Sequence, residues 1–277
     1  MRSLVCAVVA VAVIVAAVSV PVLAADNPFP LGKNRVPEAL KGSQSLPSGL
    51  SFGYTYMNDM MDLSDFSFSL GGQPLPPGVI EVSEGRHNTS VYMGRLDTWV
   101  FPFLNVYGMA ATIDGQGTDV AFKVNPIPGM PPLPIPATIE PTYTGHFYGI
   151  GMTLAAGYKQ FFASYDINCQ WATISIFDTT VPALAQGIRA GVHGKVRGAN
   201  AAAYAGAFHL SLRDAVLTGK NFIPGLPDGS FSLVASPQSA WNMLVGGKIE
   251  ITRTFVVTAE AGLGTRKQFV IMPGVRF

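Results

Sequence analysis

The final stretch of the chain, Lys267-Gln268-Phe269-Val270-Ile271-Met272-Pro273-Gly274-Val275-Arg276-Phe277, alternates in hydrophobicity up to its last residue. Counting back from Phe277, positions Val275, Pro273, Ile271 and Phe269 are apolar, while Arg276 and Gln268 between them want water. A period of two is the period of a β-strand, with one face turned to an apolar medium and the other to a polar one.

The same alternation recurs along most of the chain and accounts for its composition. Hydrophobic residues make up 48% and charged residues only 13%, against about 25% charged in an ordinary soluble domain. After the N-terminal leader, however, no segment holds the roughly 18–20 consecutive apolar residues of a membrane helix. Lipid-facing residues interleaved with lumen-facing ones produce this profile.

The leader itself is a separate signal. Met1-Arg2 supplies a positive charge, Leu4 to Leu23 is apolar apart from Ser19, and Val22-Leu23-Ala24 offers a small-residue cleavage site. That is the pattern of a secretory signal peptide. Residues 1–24 are therefore assigned to a signal peptide, 25–48 to a Pro- and Gly-rich N-terminal arm, and 49–277 to one all-β domain. The chain has 18 basic and 17 acidic residues, and Arg2 lies in the leader, so 17 of each remain. A balanced charge offers no basic face to a nucleic acid. There is no CxxC pair, no His/Cys cluster and no zinc spacing, so no metal or cofactor is expected.

Strands are expected from Leu50 onward. Ser64 to Leu70 alternates phenylalanine with serine, and Asn88 to Val100 places Tyr92, Leu96 and Val100 opposite Arg95 and Asp97. Phe101-Pro102-Phe103 predicts a tight reversal, because proline cannot donate to a central ladder. Leu104 to Thr112 returns with Asn105 and Tyr107 on the polar face, and Asp114-Gly115-Gln116-Gly117 predicts a turn. Asn125 to Pro141 contains seven prolines and is read as a long stiff loop on the outer side.

Beyond it the hairpins are regular. Thr144 to Ala156 and Gln160 to Trp171 direct Tyr148, Ile150, Met152, Tyr165 and Ile167 outward. Gly187 to Arg197 sets Ile188 and Val192 against Arg189, His193, Lys195 and Arg197. In Ala202 to Arg213 the outward face is read as Tyr204, Phe208, Leu210 and Leu212, leaving Ala203, Ala205 and Ala207 inward. Trp241 to Ile251 carries Lys248 and Glu250 inward, and Phe255 to Leu263 carries Glu260 inward. The count of nine clear strands and up to three weaker ones predicts ten or twelve, since single-chain bacterial barrels use even numbers. Trp99, Phe101, Tyr158, Phe161, Trp171, Trp241 and Phe277 suit interfacial aromatic girdles.

The terminal strand, closing on Phe277, resembles the last strand of Gram-negative outer-membrane β-barrels. The segment Arg95 to Gly108 is similar to hairpins of uncharacterised outer-membrane proteins. The resemblance implies an antiparallel transmembrane β-barrel of about 10–12 strands in the outer membrane, reached by Sec export and leader cleavage. It further implies that the barrel assembly machinery reads the closing strand, and that outer-membrane lipids surround the wall.

Candidate functional residues lie on the polar faces. Arg189, His193, Lys195 and Arg197 would suit an anionic solute in a pore, or they pair with lumen acids such as Asp166, Glu250 and Glu260. Arg95, Asp97 and Asn105 suggest a lumen network, and Lys248 completes the inward charges. The small faces Gly149 to Ala155 and Ala203 to Ala207 leave room for either a channel or a plug. Asp59, Asp62 and Asp65 recur every third residue and are read as a solvated loop or helix face. No nucleophile elbow is present. His146, on the lipid-facing parity beside Thr142 and Thr144, is the one candidate for chemistry on membrane lipids.

The expected function is a passive channel or binding protein for a small solute, without enzymatic activity. Two alternatives are a barrel enzyme acting on membrane lipids and a non-transporting structural or surface-interaction barrel.

Overall fold

The computed structural model describes residues 46–277 apart from 83, 119, 127–137, 213–215 and 221–228. The expected signal peptide, nearly all of the expected N-terminal arm and most of the proline-rich stretch thus lie outside the described residues. Ten strands form a ring: β1 (Ser48–Leu70), β4 (Glu84–Phe101), β5 (Leu104–Thr118), β8 (Thr142–Tyr158), β9 (Phe161–Ile174), β10 (Val181–Val196), β11 (Ala199–Leu212), β14 (Trp241–Glu250), β15 (Phe255–Leu263) and β16 (Lys267–Arg276). Six shorter strands stand outside it: β2 (Gln73–Pro74), β3 (Ile80–Val82), β6 (Val120–Val124), β7 (Thr138–Ile139), β12 (Val216–Lys220) and β13 (Gly229–Pro237).

Every neighbouring pair in the ring is antiparallel, and β1 pairs with both β4 and β16, which closes the cylinder. The expected antiparallel barrel is thus met at ten strands. Closure gives each wall strand two hydrogen-bonded neighbours, the condition a sheet must satisfy in hydrocarbon. Both ends of the barrel wall, Ser48 and Phe277, lie at one rim and exchange backbone hydrogen bonds there (3.1 and 2.9 Å). The β4–β5, β8–β9, β10–β11 and β14–β15 turns share that rim and are all short. The longer connections are at the opposite rim.

The outward face is apolar and exposed, including Phe52, Tyr92, Leu96, Tyr148, Ile188, Met243, Phe269 and Ile271. Met243 is 72% exposed and Leu96 59%. A continuous belt of this kind is far larger than the patches a soluble monomer presents, and it fits a lipid-facing wall. One outward patch, Val106, Ile167, Cys169 and Leu184, is buried, with Leu104, Ile150, Met152 and Trp171 packed against it. Phe101, Tyr158, Phe161, Trp241 and Phe277 are exposed near strand ends, as a girdle requires. Trp99 departs from that expectation, because it pairs with inward Asn105 and shares its face.

Three further expectations are corrected. The segment Asp114 to Gly117 is continuous strand within β5, since Cβ atoms at Gly115 and Gly117 would strike the Tyr143 ring and Pro141. Its glycines admit neighbouring side chains and make no turn. In β11 the faces are exchanged. Arg197 (φ 50°) and Gly198 (φ 87°) form a two-residue turn with both residues left-handed, the geometry favoured by tight hairpins. That turn pairs Val196 with Ala199 and Ile188 with Ala207, so the alanines face out while Tyr204 and Phe208 face the lumen. Finally, Asp59, Asp62 and Asp65 lie on strand β1, with Asp59 buried and the other two exposed.

Above the longer-loop rim, β1 runs on past the ring to pair with β13, which pairs with β12. β3, β6 and β7 form a small separate sheet. Phe68, Val82, Val120, Phe122, Leu217 and Phe231 share one apolar core there, with Phe66 and Phe177 against it. The core also takes in Val181 at the start of β10, five places round the ring from β1. It therefore joins opposite walls of the barrel across the mouth.

Candidate functional site

Many of the inward charges are engaged with one another, at three levels. Nearest the short-turn rim, the Arg276 guanidinium donates to Asp97 Oδ2 (2.7 Å), and Asn105 Nδ2 donates to the same oxygen (2.8 Å). Arg95 donates to Asn105 Oδ1 (3.2 Å) and lies over the Tyr107 ring at 3.7 Å. Tyr107 Oη donates to both oxygens of Asp166 (2.8 and 3.0 Å), which also accepts from Thr153 and Asn168. Arg95, Asp97 and Asn105, expected to form a lumen network, are joined in it by Asp166, which the sequence suggested instead as a partner for the basic residues of Gly187 to Arg197. Tyr107 and Arg276 complete it, although the sequence reading gave neither a role.

On the far side of the wall, Arg189 grips Glu260 through Nε and Nη2 (2.8 and 3.0 Å). Tyr204 donates to the same carboxylate (2.8 Å). Such bidentate pairs are the strong end of charge-assisted hydrogen bonding. Lys248 pairs with Glu250 (2.8 Å), which also accepts from Asn200. The suggested quartet does not converge. His193 sits beside the Phe162 ring, with Nε2 lacking a partner among the described residues. Lys195 and Arg197 are exposed at the short-turn rim.

A third pair lies below the capped mouth. Asp59 and Arg266, each about 1% exposed, meet at 2.6 Å. The Arg266 carbonyl accepts from Asn242, and its guanidinium faces the Phe208 ring. Its Nη1 and Nη2 have no partner among the described residues. The only sequence cue for this pair was parity: Asp59 shares the inward face of β1 with Gly53 and Ser51.

Among the described residues, the space at several small inward positions is taken by neighbouring side chains. A Cβ at Gly151 would meet the Tyr107 ring, one at Gly149 the Met109 side chain, and one at Gly191 or Gly246 Tyr204. Glycine on one strand is the slot for an aromatic or long side chain on the next. A cavity beside Arg189 and Glu260, lined also by Phe208, Asn242, Leu244 and Gln268, measures about 80 Å³. At about 30 Å³ per water it has room for two or three.

His146 is exposed on the outward face and has no hydrogen bond to a hydroxyl or carboxylate among the described residues. No triad is assembled around it. Nor do the described residues contain a cluster of three His, Cys, Asp or Glu able to hold a metal.

No protein-family model matches the chain, and no curated protein matches it. Several solved structures are similar to it in fold. The outer membrane protein OprG from Pseudomonas aeruginosa shares 12% identity at a TM-score of 0.44, covering 84% of this chain and 97% of that one. The β domain of the Bordetella autotransporter BrkA shares 9% at 0.42, covering 84% and 99%. An outer membrane channel from Pseudomonas putida F1 shares 11% at 0.37, covering 85% and 97%.

Proposed function

We propose that the chain is an integral outer-membrane protein whose passage is closed at rest and opens, when its cap moves, to a small apolar solute. The observation that carries this reading is the apolar core linking β1 to β10 across the mouth. Once the cap moves, a solute arriving from the longer-loop side would pass Phe66, Phe68, Phe122, Phe177 and Phe231, a lining suited to an apolar molecule. Below it, passage requires the Arg189–Glu260 and Asp59–Arg266 pairs to separate or be skirted. Longer loops belong to the outer side of such barrels and short turns to the periplasmic side, which orients the cap outward. The exposed belt and the aromatic rim residues support the membrane location.

The paired lumen charges also favour a second reading, in which the barrel transports nothing and presents its cap as a surface. Planar-bilayer recording separates the two. Wild-type protein is expected to show no steady conductance, whereas Phe122→Ala with Phe231→Ala, which loosens the cap, is expected to show openings. Steady ohmic conductance of the wild type would overturn the closed state. Silence of both proteins, with no uptake of an aromatic hydrocarbon into proteoliposomes, would leave the structural barrel.

A further inference from the structure

The outward face of the barrel changes character abruptly at the top of its apolar belt. Tyr56 is aligned with Phe269 on β16 and Ser90 on β4, and both aromatic side chains are exposed to the lipid side. The next outward level is polar. Asn58 stands opposite Lys267 on β16 and Asn88 on β4, and one level higher Met60 stands opposite Arg86. Asn58 Nδ2 donates to Asn88 Oδ1 (2.5 Å), and Tyr56 Oη donates to that same oxygen (3.1 Å). Arg86 Nη1 donates to Asn58 Oδ1 (3.3 Å) and its Nη2 approaches Met60 sulfur (3.6 Å). Arg86 and Lys267 thus flank a pair of asparagines fixed to each other.

Neither cation has an acidic partner among the described residues, although five other basic side chains do. The outward acids of the same strands, Asp62 and Glu84, lie a further level from the membrane, opposite each other. Two more outward acids lie near this height a strand or more away: Asp114, opposite Ser90 on β5, and Glu140, which accepts from Gln116 opposite Asn88 (3.3 Å). Two unpaired cations at the upper edge of a lipid-facing wall sit where headgroups begin, with stems long enough to lie along the belt.

We infer that Arg86 and Lys267, with Asn58 between them, form a binding site for the phosphate groups of a phosphorylated glycolipid of the outer leaflet. The ammonium supplies a point charge and the guanidinium a fork for the phosphate oxygens. Asn58 and Asn88 hold the fork in place. The acyl chains would then run down the wall past Tyr56 and Phe269. The site rests on the outer-membrane reading and on the longer-loop rim facing outward. It does not depend on whether the lumen conducts.

The test uses the full-length mature protein, folded in detergent, with native mass spectrometry against diphosphoryl lipid A and its dephosphorylated counterpart. Wild-type protein is expected to retain the diphosphoryl lipid roughly tenfold better, given two cations at a headgroup surface. Arg86→Gln with Lys267→Gln is expected to lose that preference, and Arg86→Lys with Lys267→Arg to keep most of it. Both substituted positions are exposed, and an unchanged heat-modifiable mobility on gels verifies folding. Equal retention of both lipids by the wild type overturns the inference, as does an undiminished preference in the Gln variant. A separate arm reconstitutes the wild type into phospholipid vesicles. Failure to insert there overturns the membrane reading itself and this site with it.

Discussion

Asp59 and Arg266 show what a buried ion pair does to the balance at a single site. Both are stripped of water, and their attraction offsets that desolvation only while both are present. Asp59→Ala leaves a guanidinium, already with two unpartnered nitrogens, without its counter-charge. A loss of about 3–5 kcal/mol is expected, read as a lower urea midpoint of the detergent-folded barrel at unchanged slope. Replacing both residues with leucine and methionine should restore most of it, because well-packed apolar side chains commonly match a buried pair. If the double variant is as unstable as the single one, the pair does more than fill space. The glycine slots work by sterics. Gly151→Val drives a side chain into the Tyr107 ring and displaces its hydroxyl from Asp166. Overpacking of this type costs about 1–3 kcal/mol, and Tyr107→Ala in the same chain should recover part of it on the same urea scale.

At the scale of the strand, the small β3–β6–β7 sheet carries the clearest response to pH. Lys123 Nζ (3.1 Å) and Asn125 Nδ2 (3.0 Å) donate to the Glu81 carboxylate. The hydrogen bond from Lys123 first, then the one from Asn125, holds its pKa below the ordinary carboxylate value. A carboxylate with a depressed pKa stabilises the fold above its unfolded pKa and loses that contribution as pH falls through the folded one. The cap should therefore fray in acid before the wall does, seen as proteolysis within β3 (Ile80–Val82) or β6 (Val120–Val124) at low pH while β4 and β5 stay intact. Glu81→Gln should abolish the pH dependence of that cleavage.

The strand is also the scale at which the sequence was most and least legible. Alternation located nearly every wall strand, because the membrane demands it on each. It could not by itself say which face was which in β11, where alanine looks out and Tyr204 looks in. That choice lay in the two-residue Arg197-Gly198 turn, which forces Ala199 onto the side of Val196. The lumen acids and cations were found by parity, but their partners were not, since Arg189 and Glu260 are brought together by ring order over three strand spacings. Glycines read as room or as turns proved to be slots for aromatics whose positions no local pattern reveals.

For the whole molecule, the decisive event is the meeting of the first wall strand with the last. A cylinder with one unpaired seam would leave backbone N–H and C=O groups in hydrocarbon, at several kcal/mol each. Here the seam is fastened by more than its ladder. Ser48 and Phe277 exchange backbone hydrogen bonds. Arg276 then reaches across β1, donating to the Leu46 and Pro47 carbonyls (3.0 Å each) while pairing with Asp97 on β4. One side chain thus ties three chain segments at the rim: the residues before β1, β4, and the terminal strand itself. Arg276→Ala should weaken closure most among single changes there, by about 3–5 kcal/mol, since it strands a buried Asp97 carboxylate. Asp97→Asn should cost less, because the amide oxygen still accepts from Arg276. Removing Phe277 deletes both Ser48 bonds but leaves the Arg276 network, so its effect should fall on assembly more than on the stability of the finished barrel. Heat-modifiable mobility of membrane fractions reads assembly and urea midpoints of purified protein read stability. If Arg276→Ala and Phe277 deletion move both measures in the same proportion, the rim fastening and the terminal aromatic are not separate devices.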